Sequence, residues 1–112
     1  MSAQEIPEAL GLLERAIERD PRYGPALAWA AVCCLRLEAD GSSTDPALES
    51  RKSVDFARRA LQVAGDDPGT LANAALAMAY YGEDIGTMMT LVDRALALLT
   101  PALRAAGTLV PF

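Results

Sequence analysis

The chain has 112 residues, 52% of them hydrophobic but only 5% aromatic, with a net charge of −5. That is the length of one domain. The acidic balance leaves no basic stripe for phosphates and argues against a nucleic-acid partner. There is no histidine, which removes the commonest general base and metal ligand. Its 22 Ala and 16 Leu against eight Ile plus Val favour helix over sheet, because Ala and Leu lose little rotamer freedom in a helix.

Turn signals divide the chain into segments of helical length. The first helix is expected from about Ile6 to Glu18, with Ser2 and Glu5 at capping-box spacing but Pro7 favouring a start near residue 6. Its apolar positions Ala9, Leu12, Leu13, Ala16 and Ile17 recur at intervals of three and four. Asp20-Pro21 ends it, and a second helix runs from about Pro25 to Ala39, apolar nearly all round and therefore covered on more than one side. After a Ser-rich loop, Asp45 can cap a third helix whose first residue is Pro46 and which continues to Ala64, where Gly65 can take the left-handed cap. Asp67-Pro68 starts a fourth helix that ends at Gly82. A fifth runs from Asp84 or Ile85 to Leu99, broken by Thr100-Pro101. A partial sixth turn is expected over Ala102 to Ala106, followed by the apolar tail with Leu109, Val110 and Phe112.

Cys33 and Cys34 are adjacent, offer no disulfide framework and read as buried reduced thiols; without His they complete no zinc site. The basic cluster Arg51, Lys52, Arg58 and Arg59 reads as a solvated helix face. No signal segment and no apolar run approaching the ~20 residues of a membrane span is present, so a soluble cytoplasmic protein is expected, with no membrane partner.

Displacing the chain by 44 residues lays Glu14-Arg15-Ala16-Ile17 on Arg58-Arg59-Ala60-Leu61, and Leu27-Ala28-Trp29-Ala30-Ala31 on Leu71-Ala72-Asn73-Ala74-Ala75, without a gap. A displacement of 35 lays Arg59-Ala60-Leu61 on Arg94-Ala95-Leu96. Recurring helix pairs of this kind mark an α-solenoid. The first helices supply Leu27, Ala30, Ala31, Cys34 and Leu71, Ala74, Ala75, Met78. The second helices supply Ala9, Leu13, Ala16 with Pro21, then Ser53, Ala57, Ala60, then Met88, Val92, Ala95. On these positions the chain resembles the tetratricopeptide repeat (TPR) family over about residues 6–101, most like the Ala- and Leu-rich repeats of bacterial regulatory proteins. It departs from the motif where Leu, Cys, Met and Val replace large aromatics, where Gly65 stands for a closing Pro, and where the period of 44 exceeds the family's ~34. The excess sits at residues 40–50. An up-down bundle of four or five helices would give the same elements without the register.

The resemblance implies an all-α fold of antiparallel helix pairs stacked as a short right-handed solenoid, about five helices plus a partial sixth. The whole of 1–112 would be a single domain: 6–20 the second helix of a partial repeat, 24–65 a repeat with an enlarged loop, 67–101 a repeat, and 102–112 a partial cap. It places Pro25, Ala28, Trp29, Val32, Leu35 and Arg36, and Gly69, Ala72, Asn73, Leu76, Ala79 and Tyr80, on the concave face. The expected partner-binding residues are Trp29, Val32, Arg36, Asn73, Leu76 and Tyr80. Trp29 is the anchor, a large apolar surface with one donor; the alternative is that it fills core. Asn73 matches one residue of the family's carboxylate-gripping set, but Gly69 and Pro25 stand at the matching basic positions, so that set is incomplete.

Catalysis is not expected. The carboxylate pairs Glu14 with Glu18 and Glu83 with Asp84 come without a nucleophile–base pair, no phosphate loop exists, and the 40–45 loop has Asp45 where a calcium loop wants Gly. No cofactor or metal is expected. The expected function is a protein-interaction module that binds a peptide or partner helix. The alternative is a structural or oligomerisation segment of a larger bacterial regulatory protein, forming a homodimer or touching flanking domains through its terminal helices.

Overall fold

The computed structural model describes residues 5–82 and 85–105. They form five helices: α1 Glu5–Arg19, α2 Gly24–Ala39, α3 Pro46–Val63, α4 Pro68–Tyr80 and α5 Ile85–Ala105. No strand occurs among the described residues. Ser2, Glu83, Asp84 and the tail from Ala106 lie outside them, and so do the side chains of Met88 and Val92.

The Asp-Pro starts work as their chemistry requires. Asp45 accepts a hydrogen bond from the Leu48 amide at 3.2 Å, and Asp67 accepts one from the Thr70 amide at 3.2 Å and another from the Thr70 hydroxyl. Each carboxylate satisfies an amide that the first helical turn leaves without a partner. Asp67→Ala is therefore expected to cost about 1 kcal/mol of stability; an unchanged urea midpoint would show that this cap contributes nothing. At the other ends, Gly41, Gly65 and Gly82 carry the chain out of α2, α3 and α4 with positive φ of 71, 56 and 70°, conformations a Cβ penalises.

The fifth helix departs from expectation. It continues over Pro101 to Ala105, so the partial sixth turn is its last turn rather than a separate element. Proline costs the helix the hydrogen bond to the Ala97 carbonyl. The Thr100 hydroxyl donates to the neighbouring Leu96 carbonyl at 2.7 Å, bringing a side-chain donor to the same stretch.

The core is built around α2, which packs against α1, α3 and α4, while α4 packs against α2, α3 and α5. Short connections make successive helices antiparallel, so α2 and α4 run the same way. Among the described residues neither α1 and α3 nor α3 and α5 approach closely along their backbones. The repeat register is the buried register: Leu27, Ala30, Ala31 and Cys34 on α2 and Leu71, Ala74, Ala75 and Met78 on α4 are all buried. Ser53, Ala57, Ala60 and Ala95 are buried too, and Ala9, Leu13 and Ala16 pack against the core in part. Small side chains let the helices close up until the Ser53 hydroxyl donates to the Ala31 carbonyl across the α2–α3 seam at 2.8 Å. The third Arg-Ala-Leu triplet differs in one respect. Ile17 is buried and Leu61 partly so, but Leu96 is 54% exposed, because α5 has one helical neighbour among the described residues.

Part of the basic cluster is tied down rather than solvated. Lys52 pairs with Glu14 at 3.0 Å and bridges α1 and α3, and Arg59 lies over the Phe56 ring beside Asp55. Arg94 of α5 reaches the α3–α4 turn, where it pairs with Asp66 at 3.1 Å and donates to the Gly65 carbonyl.

Candidate functional site

The exposed face of α2 and α4 is set by a single property: it carries almost no charge. Across its length α4 has no charged residue, and α2 has only Arg36 and Glu38. Glu38 turns inward and accepts from the Ser50 hydroxyl of α3 at 3.1 Å. The face therefore has one formal charge, the exposed Arg36, in a chain with 25 charged residues.

Trp29 is 50% exposed, Leu76 54% and Tyr80 51%, so none of the three fills the core. Val32 and Asn73 are half-buried and Arg36 is exposed. Trp29, Val32 and Arg36 on α2 stand at the same register as Asn73, Leu76 and Tyr80 on α4.

Comparing equivalent positions shows how the two helices sit. Ala28, Val32 and Leu35 of α2 are buried or half-buried, whereas their counterparts Ala72, Leu76 and Ala79 on α4 are all exposed. The reverse holds for Trp29, exposed, and its counterpart Asn73, half-buried. Two parallel helices side by side produce this pattern: one flank of α2 is covered by α4, and the opposite flank of α4 is covered by α2. The expectation that Ala28 and Leu35 face a groove is thus corrected; both are buried. Arg36 and Tyr80 stand at the C-terminal ends.

A polar node behind Tyr80 went unread in the sequence. Glu38, Ser50, Ser53 and Tyr81 bring side chains from the C-terminal end of α2, from α3 and from the cap of α4 into one interior. Burial raises the Tyr81 phenol far above its ordinary value, and the adjacent Glu38 carboxylate adds to the shift. The Tyr81 hydroxyl and one oxygen each of Glu38 and Glu49 are buried without a hydrogen-bond partner. The Tyr80 ring meets the Tyr81 ring edge-on at 5.0 Å. No sequence spacing reveals it, because its members come from three helices.

Both cysteines are free and buried. Burial pushes the Cys34 thiol up to about 12, helped by the Glu49 charge, and burial raises Cys33 as well. Glu14 is committed to Lys52 rather than paired with Glu18. Among the described residues no group of three or more His, Cys, Asp or Glu side chains is placed to hold a metal ion. No helix among them is long and apolar enough to cross a membrane.

In comparisons with known proteins, no family model, no curated protein and no solved structure matches the chain.

Proposed function

We propose that the chain is a non-catalytic protein-interaction module, built as a short TPR-like right-handed solenoid, that holds a peptide or partner helix against the α2–α4 face. The observation that carries this reading is the uncharged α4, which exposes Leu76 and Tyr80 to solvent, together with the half-exposed Trp29 of α2. Bulky apolar and aromatic side chains on an otherwise small-residue face are the composition of binding anchors. The solenoid reading is supported by the close α2–α4 row, by the wider spacing of α1, α3 and α5, and by a long dimension of 46 Å against 29 and 27 Å. A bacterial cytoplasmic setting belongs to the same proposal.

The double variant Trp29→Ala/Tyr80→Ala tests it. Both residues are half exposed, so the fold should hold, while at least one captured partner should fall by about tenfold in quantitative mass spectrometry of a pull-down. An unchanged set of partners from a folded double variant sinks the reading.

The second reading is a structural or oligomerising segment of a larger regulatory protein. It is favoured by an open cleft on α1 lined by Leu12, Arg15, Ala16, Arg19, Asp20 and Tyr23, with Leu12 56% and Tyr23 51% exposed.

A further inference from the structure

The two flanks of α1 carry opposite charge. Glu14 and Glu18 line the cleft shared with Phe56 and Arg59 of α3, and Glu14 is already paired with Lys52. Arg15 and Arg19 line a different cleft, of about 460 Å³, with Leu12, Ala16, Asp20 and Tyr23. We infer that this second cleft binds an acidic and aliphatic peptide segment of a partner protein, with a carboxylate against Arg15 and Arg19 and an aliphatic side chain against Leu12 and Tyr23. The cleft shares no lining residue with the α2–α4 face, so it is a separate site.

The charge of the ligand follows from the arginines. Arg15 and Arg19 stand four residues apart on one helix, where like charges repel. Both are exposed, and among the described residues neither forms an ion pair. Arg15 donates its Nε hydrogen to the Gly11 carbonyl at 3.5 Å, which leaves the two terminal nitrogens of its fork for an incoming acceptor. Asp20 is the one carboxylate lining the cleft, and it accepts a hydrogen bond from the Arg22 amide at 3.2 Å. Two cations against one anion leave the cleft positive in a chain whose net charge is −5. That overall charge does not decide what binds, because at physiological salt exposed charges beyond about 8 Å are largely screened. A carboxylate set between the two guanidiniums relieves their repulsion and accepts a charge-assisted hydrogen bond from each. A cationic ligand gains neither.

The apolar walls decide the other half of the ligand. Leu12 stands one turn before Arg15 on the same face of α1, and Tyr23 comes from the turn that leads into α2. They are 56% and 51% exposed. A bare anion would use the arginines and leave these two side chains in water, whereas a peptide with an aliphatic residue beside its carboxylate covers both. A second copy of the chain does not fit. Pairing this cleft with itself about a twofold axis would set Arg15 and Arg19 against their own copies, where like charges repel.

The test uses the full chain and a short capped peptide with a Glu-Leu-Glu core. Backbone amide shifts should saturate at peptide concentrations up to about 1 mM and centre on Leu12, Arg15, Arg19 and Tyr23. Peptides with a Lys-Leu-Lys or a Glu-Ser-Glu core should each bind at least about tenfold more weakly. Arg15→Gln/Arg19→Gln keeps the side-chain stems on an exposed face, so the fold should hold while affinity falls by about tenfold. Arg51→Gln, an exposed cation that lines another cleft, should leave affinity unchanged. The inference is overturned if no shift saturates, if the Lys-Leu-Lys or Glu-Ser-Glu peptide binds as tightly, or if the folded double variant binds as well as the original. Saturable shifts centred on Trp29 and Tyr80 instead would overturn it and leave the α2–α4 reading standing.

Discussion

Replacing Leu27 with Ala is expected to destabilise the protein by about 3 kcal/mol. Leu27 has no exposed surface and lies on the helix that touches α1, α3 and α4 at once. Removing its isobutyl group leaves a void that three helices would have to close together, and such voids cost more than the lost transfer energy alone. Alanine is the better helix former, so any loss reports packing and not helix propensity. Leu71, at the same register on α4 and 1% exposed, should behave alike. In a domain of this size the melting temperature should fall on the order of 10 °C or more. Leu76 is the internal control: at 54% exposed, its change to Ala should stay within about 1 kcal/mol. Equal effects at Leu27 and Leu76 would contradict the fold.

The second large effect is expected at alkaline pH. Cys34 holds its proton to about 12 in the folded protein against an ordinary value of 9.0. The Tyr81 phenol is raised above its ordinary value by burial and by Glu38. Burial alone would lower Lys52, but the hydrogen bond and charge of Glu14 outweigh it, so it too is raised. All three groups give up protons more readily in the unfolded chain. Above about pH 9 the folded state therefore binds more protons than the unfolded one, and stability falls as pH rises. The urea midpoint should be flat near neutrality and decline from about pH 9 to pH 11. Cys33, raised by burial as well, acts in the same direction; Cys34→Ala removes one of these contributions and should make that decline shallower. A midpoint that stays level or rises over the same interval would refute the buried placement of Cys34 and Tyr81 and the pairing of Lys52 with Glu14. The two thiols should also resist thiol reagents at mildly alkaline pH until the protein unfolds, since the thiolate is the reactive form.

Much of the architecture was legible because it depends on near neighbours in the chain. Asp45 and Asp67 cap helices that begin at Pro46 and Pro68, and Gly41, Gly65 and Gly82 end the helices before them. The repeat register marked Ala31 and Ala75, and Ala16, Ala60 and Ala95, as the places where helices touch; all are buried except Ala16, which packs against the core in part. The resemblance placed Trp29, Leu76 and Tyr80 on an outer face and left open that Trp29 fills core; all three are about half exposed. Helical periodicity is a local property, so composition and spacing determine it.

Other features depended on which helix lies beside which. Ala28 and Leu35 share the periodicity of their counterparts Ala72 and Ala79, yet one pair is buried and the other exposed, a difference that periodicity within one helix does not carry. The node of Glu38, Ser50, Ser53 and Tyr81, the bridge from Lys52 to Glu14 and the grip of Arg94 on the Asp66 turn each join residues from separate helices. Pro101 marks a helix end by its local chemistry, but α5 runs past it. The sequence by itself determined the helices, their caps and their buried stripes. The tertiary structure alone decided which exposed flank stays open, since a flank is covered or bare only through its neighbour and no single helix encodes that neighbour's position.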